Sequence, residues 1–308
     1  MTQLQVLPET TVCHGALRAV LAPAAGGRIS RLFSSDAATG QAIDWLVPLS
    51  DEVRATGFES TAWPKAGLYP LLPYSNRIQH ASFAWPGRSV QLPLHPGETC
   101  ALHGGSQQHP WTLTQHNASS ATMAYEHSQD QDGWPWSYLA EHAVTLSSEG
   151  IALRLRVTNT DDLPMPCGAG FHPYFPSRFA HRVGFSAPTV WPPDAQFLGS
   201  AAQPASTADD YAEPREVADT ELTQYYSEWN GSASLTAADG AAIRMSASGP
   251  LQHLVLYRPA GRDFFCVEPV SHVSNAAHLA QQGHAGTGWR TLAPGQTLEC
   301  GLRIQLSA

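Results

Sequence analysis

Charge is scarce in this chain. Only 14% of its 308 residues are Asp, Glu, Lys or Arg, against roughly 25% in ordinary soluble proteins, and Lys65 is the single lysine. The formal net charge is -9. No Lys/Arg stripe is available to displace phosphate counterions, so a nucleic-acid partner is not expected. Long apolar runs are missing too. No stretch approaches the roughly 18 apolar residues of a membrane-spanning helix, and Met1-Thr2-Gln3-Leu4-Gln5 offers no basic segment leading into an apolar one. A soluble cytoplasmic protein without a membrane partner is expected. The five cysteines, Cys13, Cys100, Cys167, Cys266 and Cys300, are odd in number and widely spaced. That spacing argues against a disulfide framework or metal cluster and for buried, reduced thiols.

Several chemical signatures are absent as well. There is no Walker loop, His-Glu-x-x-His, Gly-x-Ser-x-Gly or Gly-x-Gly-x-x-Gly. Gly168-Ala169-Gly170 runs into Phe171-His172-Pro173, which cannot open the helix that a dinucleotide fingerprint needs. None of the 14 histidines pairs at a metal-ligand spacing backed by Cys or carboxylate. Nothing in the sequence asks for a metal or organic cofactor.

What the chain does have is period-two alternation and turns, with 25 glycines and 24 prolines. Ile151, Leu153, Leu155 and Val157 share one face, and Leu298, Cys300, Leu302, Ile304 and Leu306 share another. Both runs read as strands with one buried side. Hairpins are predicted at Pro86-Gly87, Glu149-Gly150 and Asp239-Gly240. With no amphipathic helix of about twelve residues and no βαβ alternation, the chain reads as all-β, two large antiparallel sheets packed face to face in one domain over residues 1–308. Residues 192–219, rich in Ala, Pro, Asp and Ser, read as a long surface excursion.

Four segments set polar or titratable groups among aromatics, Gly and Pro. In Tyr69-Pro70-Leu71-Leu72-Pro73-Tyr74-Ser75-Asn76-Arg77, the guanidinium is a planar fork able to bond two neighbouring hydroxyls, or to form a salt bridge at a strand start. Leu102-His103-Gly104-Gly105, with Trp111 nearby, could bring backbone close to a ligand and offer it an apolar face, or could be a turn with an incidental histidine. Gly170-Phe171-His172-Pro173-Tyr174-Phe175 surrounds an imidazole with aromatic rings, which can fix its rotamer and tune its pKa. Phe264-Phe265-Cys266-Val267-Glu268-Pro269 ends an apolar run in a carboxylate. Apolar surroundings would raise its pKa towards the range useful for proton transfer, and a strand-end salt bridge is the plainer alternative.

Together, and in this order, the segments resemble the aldose 1-epimerase family of galactose mutarotase-like proteins. The opening Gly26-Gly27-Arg28-Ile29-Ser30 is similar to the family's opening, so the resemblance runs over nearly the whole chain. It implies a large β-sandwich with a sugar cleft across one sheet, and interconversion of the α and β anomers of a free monosaccharide without a cofactor. It places Glu268 as general base, His172 as general acid, His103 as the second histidine near the ring oxygen, and Arg77, with Asn76 beside it, as binder of sugar hydroxyls.

The sequence departs from the family at one point, where Thr223 stands in place of a hydroxyl-binding aspartate. That puts sugar preference in question more than the proton chemistry, and Asp219 or Glu221 could compensate. Two alternatives stay open: a non-catalytic sugar-binding or sensing protein on the same scaffold, and an epimerase for a phosphorylated or sulfonated hexose. A glycoside hydrolase would want a second carboxylate opposite Glu268, and no segment nominates one.

Overall fold

The alternation at Ile151 to Val157 is realised as a strand, Gly150–Asn159, that buries Ile151, Leu153, Leu155 and Val157 and exposes Arg154. Glu149-Gly150 closes a ten-pair hairpin with Tyr138–Ser147, and Thr297–Ser307 pairs along the other edge. The hairpins at Asp239-Gly240 and Pro86-Gly87 form as read. The computed structural model describes residues 7–35 and 40–308; Met1–Gln5, expected to carry no leader, lies outside them.

The Pro86-Gly87 hairpin is a two-stranded sheet of its own, and the other strands belong to an eight-stranded antiparallel sheet. A twelve-stranded sheet faces it, with Leu68–Leu71, Gly170–Pro173, Phe264–Val270, His253–Arg258 and Leu222–Ser227 adjacent in that order at its centre. One apolar cluster fills the space between the two, contributed by Leu155, Val157, Leu302 and Ile304 from one side and Leu68, Phe171, Leu256, Phe265 and Val267 from the other. The two helices among the described residues, Asp51–Thr56 and Ala276–Gln281, are six residues each. Neither is long and apolar enough to cross a membrane.

The central strands of the larger sheet are covered on both faces. Because side chains alternate, Phe265 and Val267 enter the inter-sheet core, whereas Cys266 and Val270 join a second cluster with Trp63, Tyr69, Tyr174, Tyr225 and Val255 on the outer face. Double coverage explains why Phe264–Val270 reads as a continuous apolar run instead of an alternating one. It also places Glu268, on the outer face with Cys266, in a largely dry environment.

All five cysteines are free, and four are buried as expected. Cys13 is the exception, because its strand side faces solvent. The face assignment predicts that Leu155→Ala lowers unfolding free energy in urea by about 2–5 kcal/mol, while Arg154→Ala, one residue away on the exposed face, changes it by no more than about 0.5 kcal/mol.

Candidate active site

Strand register gathers the site. Tyr69 pairs with His172, Val255 with Glu268, and Tyr225 with Val255. The pairs Gly170–Val270 and Phe175–Phe265 keep one register between the neighbouring strands, which sets His172 opposite Glu268. The result is a row across the sheet: Tyr69, His172, Glu268, Val255, Tyr225. One step along, Thr223, Tyr257 and Cys266 form a second row on the same face.

His172 Nε2 lies 3.6 Å from Glu268 Oε1, close enough to share a ligand and too far for a hydrogen bond. Both side chains are buried, and Glu268 Oε2 has no hydrogen-bond partner. Burial raises the Glu268 pKa to about 8, with Arg77 and Lys65 opposing the rise. The same burial, followed by the charges of Lys65 and Arg28, pushes His172 well below the usual imidazole range. Its ring packs against Tyr174 at 4.6 Å and Tyr69 at 4.9 Å between centroids, which fixes its orientation. Tyr69 is in turn backed by the Arg28 guanidinium at 4.4 Å.

His103 and Asn76 flank the short ladder of Arg77–Gln79 with Cys100–Leu102. Both adopt left-handed backbone, φ 62° and 56°, and each holds the other. The His103 N–H donates to the Asn76 carbonyl at 2.9 Å, and the Asn76 N–H donates to His103 Nδ1 at 3.0 Å. A nitrogen that accepts carries no proton, so neutral His103 bears its hydrogen on Nε2. Burial first, then His172 and Arg77, keeps it neutral. His272 shows the structural counterpart. Its Nε2 accepts from the Ser75 N–H at 3.1 Å and its Nδ1 donates to the Val273 carbonyl at 2.9 Å, so both nitrogens are spent on the fold. Gly168 is what lets that ring approach, since a Cβ there would fall 2.2 Å from it.

Arg77 combines both sequence readings. It begins a strand in a two-pronged salt bridge to Glu98, at 2.7 and 2.8 Å from Nε and Nη2, and it lines the cavity. Its fork is therefore not open to two hydroxyls, and Nη1 is the nitrogen left free of that salt bridge. Asn76 Oδ1 accepts from the Arg77 backbone N–H, and Tyr225 Oη lies 3.3 Å from it.

These groups surround a cavity of about 230 Å³, below the roughly 300–1,000 Å³ of drug-sized pockets and so matched to a small ligand. Asn76, Arg77, His103, His172, Thr223 and Glu268 all line it, as does Glu221. Asp219 instead sits 3.7 Å from Arg258 and accepts from the Gly261 N–H. Trp111 does not line the cavity. It lies in the inter-sheet core against Gly27 and Tyr125, its Nε1 donating to the Ser106 carbonyl at 2.9 Å. The sugar-stacking expectation for Trp111 is therefore corrected: its ring is consumed by packing.

Trp63, Lys65, His95, Glu98, Phe197, Tyr225 and Tyr257 also line the cavity, and sequence reasoning did not select them. Lys65 carried the one usable signal, its singularity. Cys266 stands beside His172 and Glu268, and its sulfur, a His172 nitrogen and a Glu268 oxygen lie within 4.8 Å of one another. Burial drives this thiol well above its ordinary pKa.

Residues 9–305 match the family model described as aldose 1-epimerase. The chain is 29% identical over 261 residues to the Escherichia coli K12 protein YphB, itself uncharacterized, covering 81% of this chain and 87% of that one. In fold it matches a galactose mutarotase-like protein from Clostridium acetobutylicum with a TM-score of 0.83, at 18% identity over 100% of this chain and 99% of that one. A galactose 1-epimerase from Lactobacillus acidophilus NCFM matches with a TM-score of 0.76, at 16% identity over 97% and 94%.

The raised pKa of Glu268 has a thermodynamic signature. The folded carboxyl keeps its proton up to about 8, whereas the unfolded one loses it near about 4.3, so this group's stabilisation is full at low pH and is lost as pH rises through that window. Glu268→Gln does not titrate. In urea unfolding at pH 5, 7 and 9, the variant should gain on the wild type as pH rises; a difference independent of pH would contradict the buried, high-pKa carboxyl.

Proposed function

The chain belongs to the aldose 1-epimerase family, and from that premise we propose that it interconverts the α and β anomers of a free aldose. One observation carries the reading: a buried carboxyl and a buried imidazole 3.6 Å apart in a small cavity. Anomer exchange requires that the C1 hydroxyl lose a proton while the ring oxygen gains one. Glu268 takes the first proton and His172 supplies the second. The C1–ring oxygen bond then breaks, the aldehyde turns about its bond to C2, and the ring recloses with both transfers reversed. Each well-placed group contributes about 10²–10⁴-fold.

The proton count supports this assignment. Between the low pKa of His172 and about 8 for Glu268, the pair holds a single proton. Shifting it from the carboxyl to the imidazole creates the carboxylate and imidazolium that ring opening needs, and ring opening returns it. The count is one throughout. In this reading the Nε2–H of His103 donates to an oxygen of the sugar ring and Arg77 Nη1 to a hydroxyl, which is supported by both residues lining the cavity.

Polarimetry or exchange NMR with a panel of aldoses tests the reading. Exchange no faster than in buffer for every sugar would overturn it. Glu268→Gln and His172→Asn should each cost at least about 10²-fold with the fold intact. Above a pH of about 8 the pair loses its one proton, so kcat/KM should fall on the alkaline side.

A second reading, a phosphorylated or sulfonated aldose, is favoured by Lys65. Its ammonium lies 4.5 Å over the Trp63 ring at the cavity mouth, and it makes no salt bridge among the described residues. Partial desolvation lowers its pKa, a cost that a bound anion would offset. Comparing glucose with glucose 6-phosphate separates the two readings: a higher kcat/KM for the phosphate, abolished in Lys65→Met, selects the second.

A further inference from the structure

The 192–219 excursion sends one residue to the cavity. Phe197 lines it in left-handed backbone, φ 59°, a conformation that bulky L-residues avoid and that costs free energy. The residue is 37% exposed, one of four large hydrophobic residues left exposed among the described residues. Strain and exposure both oppose folding, and neither serves the core. The loop is nevertheless built to hold this residue. Asp194 Oδ1 accepts from the N–H groups of Gln196 and Leu198 at 2.8 and 2.9 Å, and the Phe197 N–H donates to the Asp194 carbonyl at 3.0 Å. Leu198 is buried beneath.

The Phe197 carbonyl is fastened to the floor of the site. It accepts from Tyr225 Oη at 2.6 Å and from Ser274 Oγ at 3.1 Å. Tyr225 stands in the same row as His172 and Glu268, so the loop tip and the acid/base pair share one foundation. The Arg77 guanidinium lies over one face of the Phe197 ring, 5.0 Å from its centroid, and Arg77 is itself locked by Glu98.

We propose that Phe197 is the aromatic platform against which the apolar C–H face of a bound aldopyranose packs. The ring does what the sequence suggested for Trp111, and its strained backbone is retained to aim it. This rests on the sugar reading and assigns the residue that selects among pyranoses by the hydrogens one face presents.

The test is kinetic, calorimetric and thermal, with glucose and galactose as probes. Phe197→Ala should raise KM and the calorimetric Kd roughly 10-fold, the loss falling on KM more than on kcat, and Phe197→Tyr should recover most of it. Phe197→Gly relieves the left-handed strain, so its Tm should equal or exceed that of the wild type while its sugar affinity drops as in Phe197→Ala. Unchanged affinity in Phe197→Ala overturns the platform, as does a Phe197→Gly variant that loses Tm together with affinity. If the wild type binds sugar by calorimetry without exchanging anomers, the epimerase reading fails and the Kd series still decides the platform. Binding of neither sugar overturns the platform directly.

Discussion

Desolvation of the Glu268 carboxyl is the constraint on which the site depends. Taking a carboxylate out of water is costly unless it is paired, and here the nearest group is a neutral imidazole at 3.6 Å. The larger sheet imposes that condition by being covered on both faces, its inner side by the eight-stranded sheet and its outer side by Trp63, Val273, Ala276 and Leu279. The same dryness moves the two partners in opposite directions, the carboxyl up and the imidazole down. Groups that differ in solution are thereby left holding one proton between them.

The surrounding charges are arranged so as not to undo this. An arginine free to approach Glu268 would stabilise the carboxylate and return its pKa to the ordinary range. Arg77 is instead tied to Glu98 through two nitrogens, and Arg28 is buried under Tyr69, where it donates to the Ala66 carbonyl. The charge of Arg28 helps to lower the His172 pKa although Arg28 does not line the cavity. The low charge content of the chain therefore has a local meaning, since the cations near the cavity are few and most have a fixed partner.

Much of this was legible in sequence because strands encode their faces with period two. Alternation at Ile151–Val157 and the turns at Glu149-Gly150 and Asp239-Gly240 pointed to the smaller sheet. The larger sheet was harder, since strands buried on both sides do not alternate, and its site was reached through motifs and the family resemblance instead. Which residues face one another depends on register between segments about a hundred positions apart, as with His172 and Glu268, and no local pattern contains that. Trp111 and Phe197 show the limit clearly. An indole beside Leu-His-Gly-Gly looks like a ligand platform until Gly27 is seen to admit it into the core, and a phenylalanine in a low-complexity loop carries no sign that Tyr225 and Ser274 will pin its carbonyl. Glu98 was invisible for the same reason: its importance is its contact with Arg77.

Thr223 belongs to the same electrostatic argument. It lines the cavity beside Tyr257, in the row adjoining Glu268, and Glu221 and Glu98 are already in that wall. A carboxylate in its place would add another negative charge facing a carboxyl that burial alone has raised to about 8. Like-charge repulsion would lift it further and make the base form rarer at neutral pH. A hydroxyl donates and accepts at that position without this effect. Thr223 thus leaves the wall without a further negative charge beside the Glu268 carboxyl, whose pKa burial already holds at about 8.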